Sequence, residues 1–100
     1  MEVEFKSKSL RDCYEISEKA RRRWGASVGQ RYIERVNVLY SCASIADLGK
    51  FPQYKFHPLK GARKGQYAIT LDGQMRLLVS FKDRSGATVR VEEVSNHYGD

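Results

Sequence analysis

The chain has 100 residues, 41% of them hydrophobic, and a formal net charge of +6. This length suits one domain over residues 1–100 and leaves no room for a second core. No apolar run approaches the roughly 18 residues of a membrane helix, and the amino terminus has no apolar signal-peptide core, so we expect a cytoplasmic protein with no membrane partner. A basic domain of this size usually binds something anionic, such as nucleic acid or an acidic partner protein.

The first quarter of the chain predicts a strand and a helix. Val3 and Phe5 alternate with charged residues, which is typical of a short strand. Apolar residues then recur every three to four positions, and this predicts one helix over about 10–23. Ser9 is the expected N-cap, and Gly25 is the expected stop after the helix.

A second helical period follows at once. Ser27 offers the cap, and apolar residues hold the period for about five turns, from Val28 to Ala46, before Leu48-Gly49 ends it. Two amphipathic helices joined by a tight link form a helical hairpin.

The second half of the chain predicts strands. They are a short strand between Tyr54 and Leu59 that Pro58 closes, a strand over Gln66 to Leu71, a return strand from Met75 to Phe81 after the Asp72-Gly73 turn, and a last strand beginning near Val89. The order β, α, α, β, β, β predicts an α+β fold. In it an N-terminal strand, a helical hairpin and a three-stranded antiparallel meander form one antiparallel sheet with the helices on one face.

Alternation along the return strand places its residues on two faces. If Met75, Leu77, Val79 and Phe81 face the helices, then Arg76, Leu78, Ser80 and Lys82 face outward. Arg76 would then lie on the open face, held by a rigid scaffold. The alternative is that Arg76 forms an exposed ion pair with an acidic residue on a neighbouring strand.

The segment HPLKGARKG, His57 to Gly65, concentrates positive charge. No acidic residue occurs from Leu48 to Leu71, whereas this span holds Lys50, Lys55, Lys60, Arg63 and Lys64. Glycines let the main chain approach a phosphate closely, so the segment suits phosphate binding as well as the simpler role of a solvated loop. A second basic cluster, Arg21 to Arg23, follows Glu15 and Glu18 and is interpreted as a solvated helix face.

The two cysteines, Cys13 and Cys42, stand alone on helical patterns. Neither belongs to a Cys-x-x-Cys pair, and no histidine lies at ligand spacing from either. We therefore expect buried free thiols, no metal site and no cofactor.

The segment HPLKGARKGQYAITLDGQMRLLVSFKD, followed by VEEVSNHYGD, resembles the HigB branch of the RelE/ParE toxin superfamily. The resemblance includes the helical hairpin and covers essentially the whole chain. It implies the toxin of a type II toxin–antitoxin module, a class tied to growth inhibition and plasmid maintenance. Toxins of the HigB type enter the ribosomal A site and cut mRNA there, and a small helix-turn-helix antitoxin neutralises them. The ParE type instead poisons DNA gyrase and lacks the nuclease residues.

The sequence departs from that pattern at two places. Met75 stands where many relatives carry an aromatic residue, and Ser95-Asn96-His97 stands where some end in Asp-Tyr-His, although Glu92 and Glu93 are near. These departures leave two alternatives open beside the nuclease: a non-catalytic relative that binds RNA or an antitoxin, and a ParE-like gyrase poison.

Metal-free RNA cleavage defines what a nuclease site must contain. The ribose 2′-OH must lose a proton and attack the adjacent phosphorus, the phosphorane must be neutralised, and the 5′-oxygen must gain a proton. Histidine suits both proton transfers because its unperturbed pKa is about 6.5. Arginine suits the phosphorane because its planar fork binds two oxygens at once.

These requirements assign four catalytic candidates. His97 would donate the proton to the leaving oxygen, His57 or Lys60 would activate the 2′-OH, and Arg76 would hold the scissile phosphate. Candidate substrate-binding residues, for flanking phosphates, ribosomal RNA or base stacking, are Lys55, Arg63, Lys64, Lys82 and Tyr98.

Overall fold

The computed structural model describes residues 1–96 and shows the expected α+β fold. The strands are β1 (Glu2–Phe5), β2 (His57–Pro58), β3 (Gln66–Asp72), β4 (Met75–Phe81) and β5 (Thr88–Ser95). The helices are α1 (Lys8–Glu15), α2 (Ser17–Trp24) and α3 (Ala26–Ser41), and short 3-10 turns cover Ile45–Lys50, Pro52–Tyr54 and Gly61–Arg63. The helices pack on one face of the sheet, and the predicted N-terminal strand, helical hairpin and antiparallel meander are confirmed.

The sheet is mixed rather than wholly antiparallel. Its order is β1-β5-β4-β3-β2, and all neighbours are antiparallel except β1 and β5. The helices and strands β2, β3 and β4 lie between β1 and β5 in sequence. After them the chain enters β5 in the same direction as β1, so the two strands pair in parallel. The prediction of a fully antiparallel sheet was therefore wrong at this one edge.

The first predicted helix is two helices. Ile16 has extended angles, φ −123° and ψ 98°, and separates α1 from α2. The N-cap of α1 is Ser7, whose hydroxyl accepts a hydrogen bond from the Leu10 amide, and not the predicted Ser9. Ala20 of α2 is fully buried, and its main chain lies close to Gly29 of α3.

The N-cap of α3 is a glycine and not the predicted serine. Gly25 is the N-cap, with φ 88°, while the predicted cap Ser27 donates to Asp72 at 2.7 Å. Gly29 permits the close packing of α2 on α3, because a Cβ at this position would lie 2.9 Å from the Ala20 carbonyl carbon.

The helix predicted to run from Val28 to Ala46 is α3, and it ends at Ser41, five residues before the predicted end. Cys42 is already extended, and the Ala43 amide donates to the Asp47 carboxylate at 2.8 Å instead of continuing the helix. Aspartate side chains compete with helical hydrogen bonds in this way. The chain then forms a 3-10 turn, Ile45–Lys50, with Leu48 buried in the core.

The main core lies between the helices and the sheet. Its buried members on β4 and β5 are Leu77, Val79, Val89 and Val91. Leu78 belongs to a second, small cluster with Leu59 and Ala68 on the opposite face. This confirms the predicted alternation of β4. Both cysteines are buried and free, as predicted.

Candidate functional site

The sheet face turned away from the helices, which we term the open face, carries the candidate site. Residues paired across antiparallel strands project to the same face. One cross-strand row contains His57, Ala68, Leu78 and Glu93, and the adjacent row contains Thr70, Arg76 and Ser95. His57 and Arg76 therefore share the open face. Two strand spacings and two residue steps place their Cα atoms about 12 Å apart.

His57 is anchored by a main-chain contact. Its Nδ1 lies 2.7 Å from the carbonyl oxygen of Lys55. Its Nε2 is buried and has no hydrogen-bond partner among residues 1–96. Within the described residues the ring therefore has one nitrogen bound to the backbone and one buried nitrogen without a partner.

Leu59 packs the basic segment against the open face. Leu59 is buried against Ala68 and Leu78, and its amide donates to the Gln66 carbonyl at 2.9 Å. Lys60 and Lys64 beside it are exposed. Gly61 and Gly65, at φ 65° and 96°, supply the turns that a side chain would strain. Two exposed lysines thus flank the turn that Leu59 packs against the open face.

Arg63 is paired with an acid that lies outside the acid-free span from Leu48 to Leu71. Its Nη1 donates to Glu93 at 2.5 Å and lies 3.4 Å from the Gln66 amide oxygen. Both partners of the ion pair are partly exposed. A register shift between Leu78 and Val79 leaves Glu92 as an extra residue of β5 and places Glu93 opposite Leu78.

Arg76 lies at the start of β4, where the β3–β4 turn ends. Its Nη1 donates to the Gly73 and Met75 carbonyls at 2.9 and 3.1 Å. No salt bridge within the described part of the chain involves it. The same nitrogen makes both bonds, and Nε and Nη2 have no hydrogen-bond partner among residues 1–96. The predicted alternative, an exposed cross-strand ion pair, does not occur among the described residues.

Lys55 and Lys82, two other predicted substrate-binding residues, have different environments. Lys55 is exposed and next to His57. Lys82 lies at the far end of β4, where it forms an ion pair with Glu4 at 3.2 Å. His97 and Tyr98 lie outside the described residues; the description ends at Asn96, beside Ser95, which pairs with Arg76.

Sequence reasoning missed a buried arginine behind the sheet. Arg35 of α3 is only 8% exposed, its Nε donates to the Thr70 carbonyl at 3.2 Å, and its guanidinium carbon lies 4.1 Å from the centre of the Tyr54 ring. The residue thus connects α3 to the strand that carries Thr70. Its spacing of three from Tyr32 and four from Leu39, both core residues, is the sequence signal that would have placed it inward.

The Arg21 to Arg23 cluster is exposed, as predicted for a helix face. Arg23 donates to Ser9 at 2.7 Å and stacks on Trp24.

Within residues 1–96, no three of His, Cys, Asp and Glu form a group suited to hold a metal ion, and no helix is long and apolar enough to span a membrane.

Comparison with known proteins gives a likeness of structure only, since no family model and no curated protein matches the chain. A YoeB/ParE toxin from Agrobacterium tumefaciens has a TM-score of 0.57 and 24% identity, over 98% of this chain and 100% of its own. The YoeB–YefM complex from Staphylococcus aureus gives 0.55 and 15%, covering 98% of each chain. A YafQ mutant from E. coli gives 0.53 and 18%, over 94% of this chain and 90% of its own. The chain therefore has the fold of the YoeB/ParE-type toxins.

Proposed function

We propose that the protein is the toxin of a type II toxin–antitoxin module and that it is an endoribonuclease of the HigB kind, cleaving mRNA in the ribosomal A site. The observation that carries the proposal is the placement of His57 and Arg76 on one open sheet face, beside the basic segment. The toxin fold and the sequence resemblance support the same conclusion.

The arrangement suits attack by the ribose 2′-OH on the adjacent phosphorus. His57 accepts the hydroxyl proton through Nε2, with Lys60 as the alternative base. The 2′-oxygen bonds to phosphorus, the bond to the 5′-oxygen breaks, and a 2′,3′-cyclic phosphate forms. Arg76 stabilises the added negative charge with its guanidinium, and His97 protonates the departing 5′-oxygen.

The partners follow from the same proposal. Lys55, Lys60, Arg63, Lys64 and, further along the face, Lys82 supply charge for flanking phosphates of mRNA or ribosomal RNA, and Tyr98 supplies a ring for stacking. One structure of this fold is a complex of YoeB with YefM. We propose that a small helix-turn-helix antitoxin binds this chain, and that the chain acts in the cytoplasm, where translating ribosomes are found.

A second candidate function is RNA or antitoxin binding without catalysis. The burial of His57 Nε2 favours it, because a general base must lie within reach of the 2′-OH. The two candidates predict the same binding surface and differ in whether RNA is cut.

The deciding experiment adds purified protein to translating ribosomes and maps new mRNA ends. We expect cleavage by the wild type, loss of cleavage in His57→Ala, and wild-type cleavage in Arg84→Ala, a control at the opposite end of β4. Intact mRNA without DNA damage would support the binding candidate. Intact mRNA with gyrase-dependent DNA breaks would assign the protein to the ParE type.

A further inference from the structure

Lys55 has an unusual main-chain conformation for its residue type. Its φ and ψ are 49° and 42°, in the left-handed region, and it is the one non-glycine residue of the described chain with a positive φ. Lysine gains nothing from this conformation by itself, since side chains with a Cβ disfavour it. Such outliers persist where the surrounding structure holds them, and they often serve a function.

The consequence of that conformation is the position of a carbonyl group. Lys55 is the C-cap of the Pro52–Tyr54 turn, and its amide donates to the Pro52 carbonyl at 3.1 Å. Its own carbonyl oxygen lies 2.7 Å from His57 Nδ1. A carbonyl oxygen can only accept a hydrogen bond, so Nδ1 must carry the proton.

The other ring nitrogen agrees with this assignment. Nε2 of His57 is buried without a partner among residues 1–96. A buried N–H without an acceptor is rare in proteins, whereas a neutral imidazole protonated on Nδ1 leaves only a lone pair at Nε2. Both nitrogens therefore favour the same tautomer.

We propose that Lys55 is a positioning residue that acts through its main-chain carbonyl: it holds neutral His57 in the Nδ1–H tautomer, with the Nε2 lone pair ready to accept a proton. The tautomer follows from the geometry alone, whereas its catalytic consequence rests on the proposed nuclease function. In the alternative tautomer Nε2 already bears a hydrogen and cannot act as the base.

The position of Nε2 adds one requirement. The atom is shielded from solvent in the free chain, so a 2′-OH reaches it only when neighbouring side chains move on RNA binding. Catalytic hydrogen bonds commonly form only in the substrate complex. Shielding also keeps water from competing for the lone pair beforehand.

The tautomer is measured by nuclear magnetic resonance of protein labelled with nitrogen-15, at alkaline pH. A His97→Gln copy removes the second histidine and identifies the signals of His57. We expect a pyrrole-type Nδ1 and a pyridine-type Nε2. A pyrrole-type Nε2 would overturn the proposal whether or not the protein cuts RNA.

Two substitutions separate the main chain of Lys55 from its charge. Lys55→Gly keeps the left-handed conformation, and Lys55→Val strains it, while both remove the ammonium group. We expect the Gly variant to retain the Nδ1–H tautomer and to lose only the contribution of the Lys55 ammonium group to phosphate binding, which the Val variant loses equally. The Val variant should gain the other tautomer and lose about tenfold or more in rate, since general base catalysis contributes about 100-fold or more.

Equal loss in both variants would show that the charge of Lys55 matters and would contradict the positioning role. Should the wild type cut no RNA, the nuclease function fails, but the spectra of the same three proteins still decide the tautomer and its dependence on the Lys55 conformation.

Discussion

Arg63 and Glu93 form an ion pair across the open face, with 2.5 Å between Nη1 and Oε1, and they lie 30 positions apart in sequence. The pair joins the basic segment to β5. The segment leads into β3, and β4 lies between β3 and β5 in the sheet. A phosphate that binds Arg63 must compete with the Glu93 carboxylate, which also repels it. The acid therefore lowers the affinity of the basic segment for RNA.

Removing that carboxylate should change how RNA binding depends on salt. For a single-stranded oligonucleotide, four phosphate contacts from Lys55, Lys60, Lys64 and Arg76 predict a slope of log affinity against log salt of about −3. Glu93→Gln frees Arg63 for a further contact and should steepen the slope by about 0.7.

Glu15→Gln is the matched control, since it removes the same charge from the exposed part of α1. It should leave the slope unchanged. An equal change in both variants would mean that net charge alone is responsible, and a flat slope in the wild type would refute the phosphate-binding surface.

A single methyl group should disturb the packing of α2 on α3. Gly29→Ala places a Cβ 2.9 to 3.0 Å from main-chain atoms of Ala20 and Arg21, which cannot rotate away. We expect a loss of about 1–2 kcal/mol in the free energy of unfolding, because overpacking outweighs the better helix propensity of alanine. Gly49→Ala meets open space and should leave stability unchanged or higher. Urea unfolding of both variants measures the difference, and equal midpoints would contradict the close approach.

Local rules predicted much of the fold. The Asp72-Gly73 turn fixed the β3–β4 hairpin, and alternation correctly placed Arg76 and Leu78 on the open face. The break at Ile16 was not predictable from the apolar period, because the period continues through it. Likewise, the apolar period runs past the end of α3, which the Asp47 contact with Ala43 determines.

The site was less predictable because β5 is irregular. Counting by twos from Val89 and Val91 places Glu93 toward the core. The extra residue Glu92 reverses this alternation, so that Glu93 faces outward and reaches Arg63. The conformation of Lys55 has no local signal either, since lysine rarely adopts it.

Tyr32 should make stability fall at high pH. Its hydroxyl donates to the Leu10 carbonyl at 2.7 Å, and burial raises its pKa above the usual value of about 10. Above pH 10 the unfolded chain releases this proton while the folded chain keeps it, so the free energy of unfolding decreases.

Tyr32→Phe removes that linkage. The variant should lose about 1 kcal/mol at neutral pH, because the hydrogen bond from Tyr32 to the Leu10 carbonyl is lost, yet its stability should decline less steeply above pH 10. Chemical unfolding at several pH values tests this. Parallel declines for the two proteins would show that Tyr32 does not contribute.

Arg76→Ala should separate catalysis from folding. The loss of the two Nη1 bonds to the turn carbonyls costs about 1 kcal/mol, or a decrease of about 4–8 °C in Tm. Loss of the guanidinium should lower the cleavage rate on ribosomes about 100- to 1000-fold. Arg76→Lys should restore the rate only in part, because an ammonium group lacks the planar fork.

Thermal melting and single-turnover cleavage should be measured on the same samples, with Arg84→Ala as the surface control. A collapse of the fold in Arg76→Ala would assign a structural role to the residue. A normal melt with wild-type cleavage would remove the phosphate role.

The chemistry of the RNA ends tests the central claim most directly, that the open face promotes attack by the 2′-OH. mRNA cut by the wild-type protein on translating ribosomes should carry a 2′,3′-cyclic phosphate on the upstream fragment and a 5′-hydroxyl on the downstream fragment. Fragments that instead carry a 3′-hydroxyl and a 5′-phosphate would show that water attacked the phosphorus, and they would contradict the account.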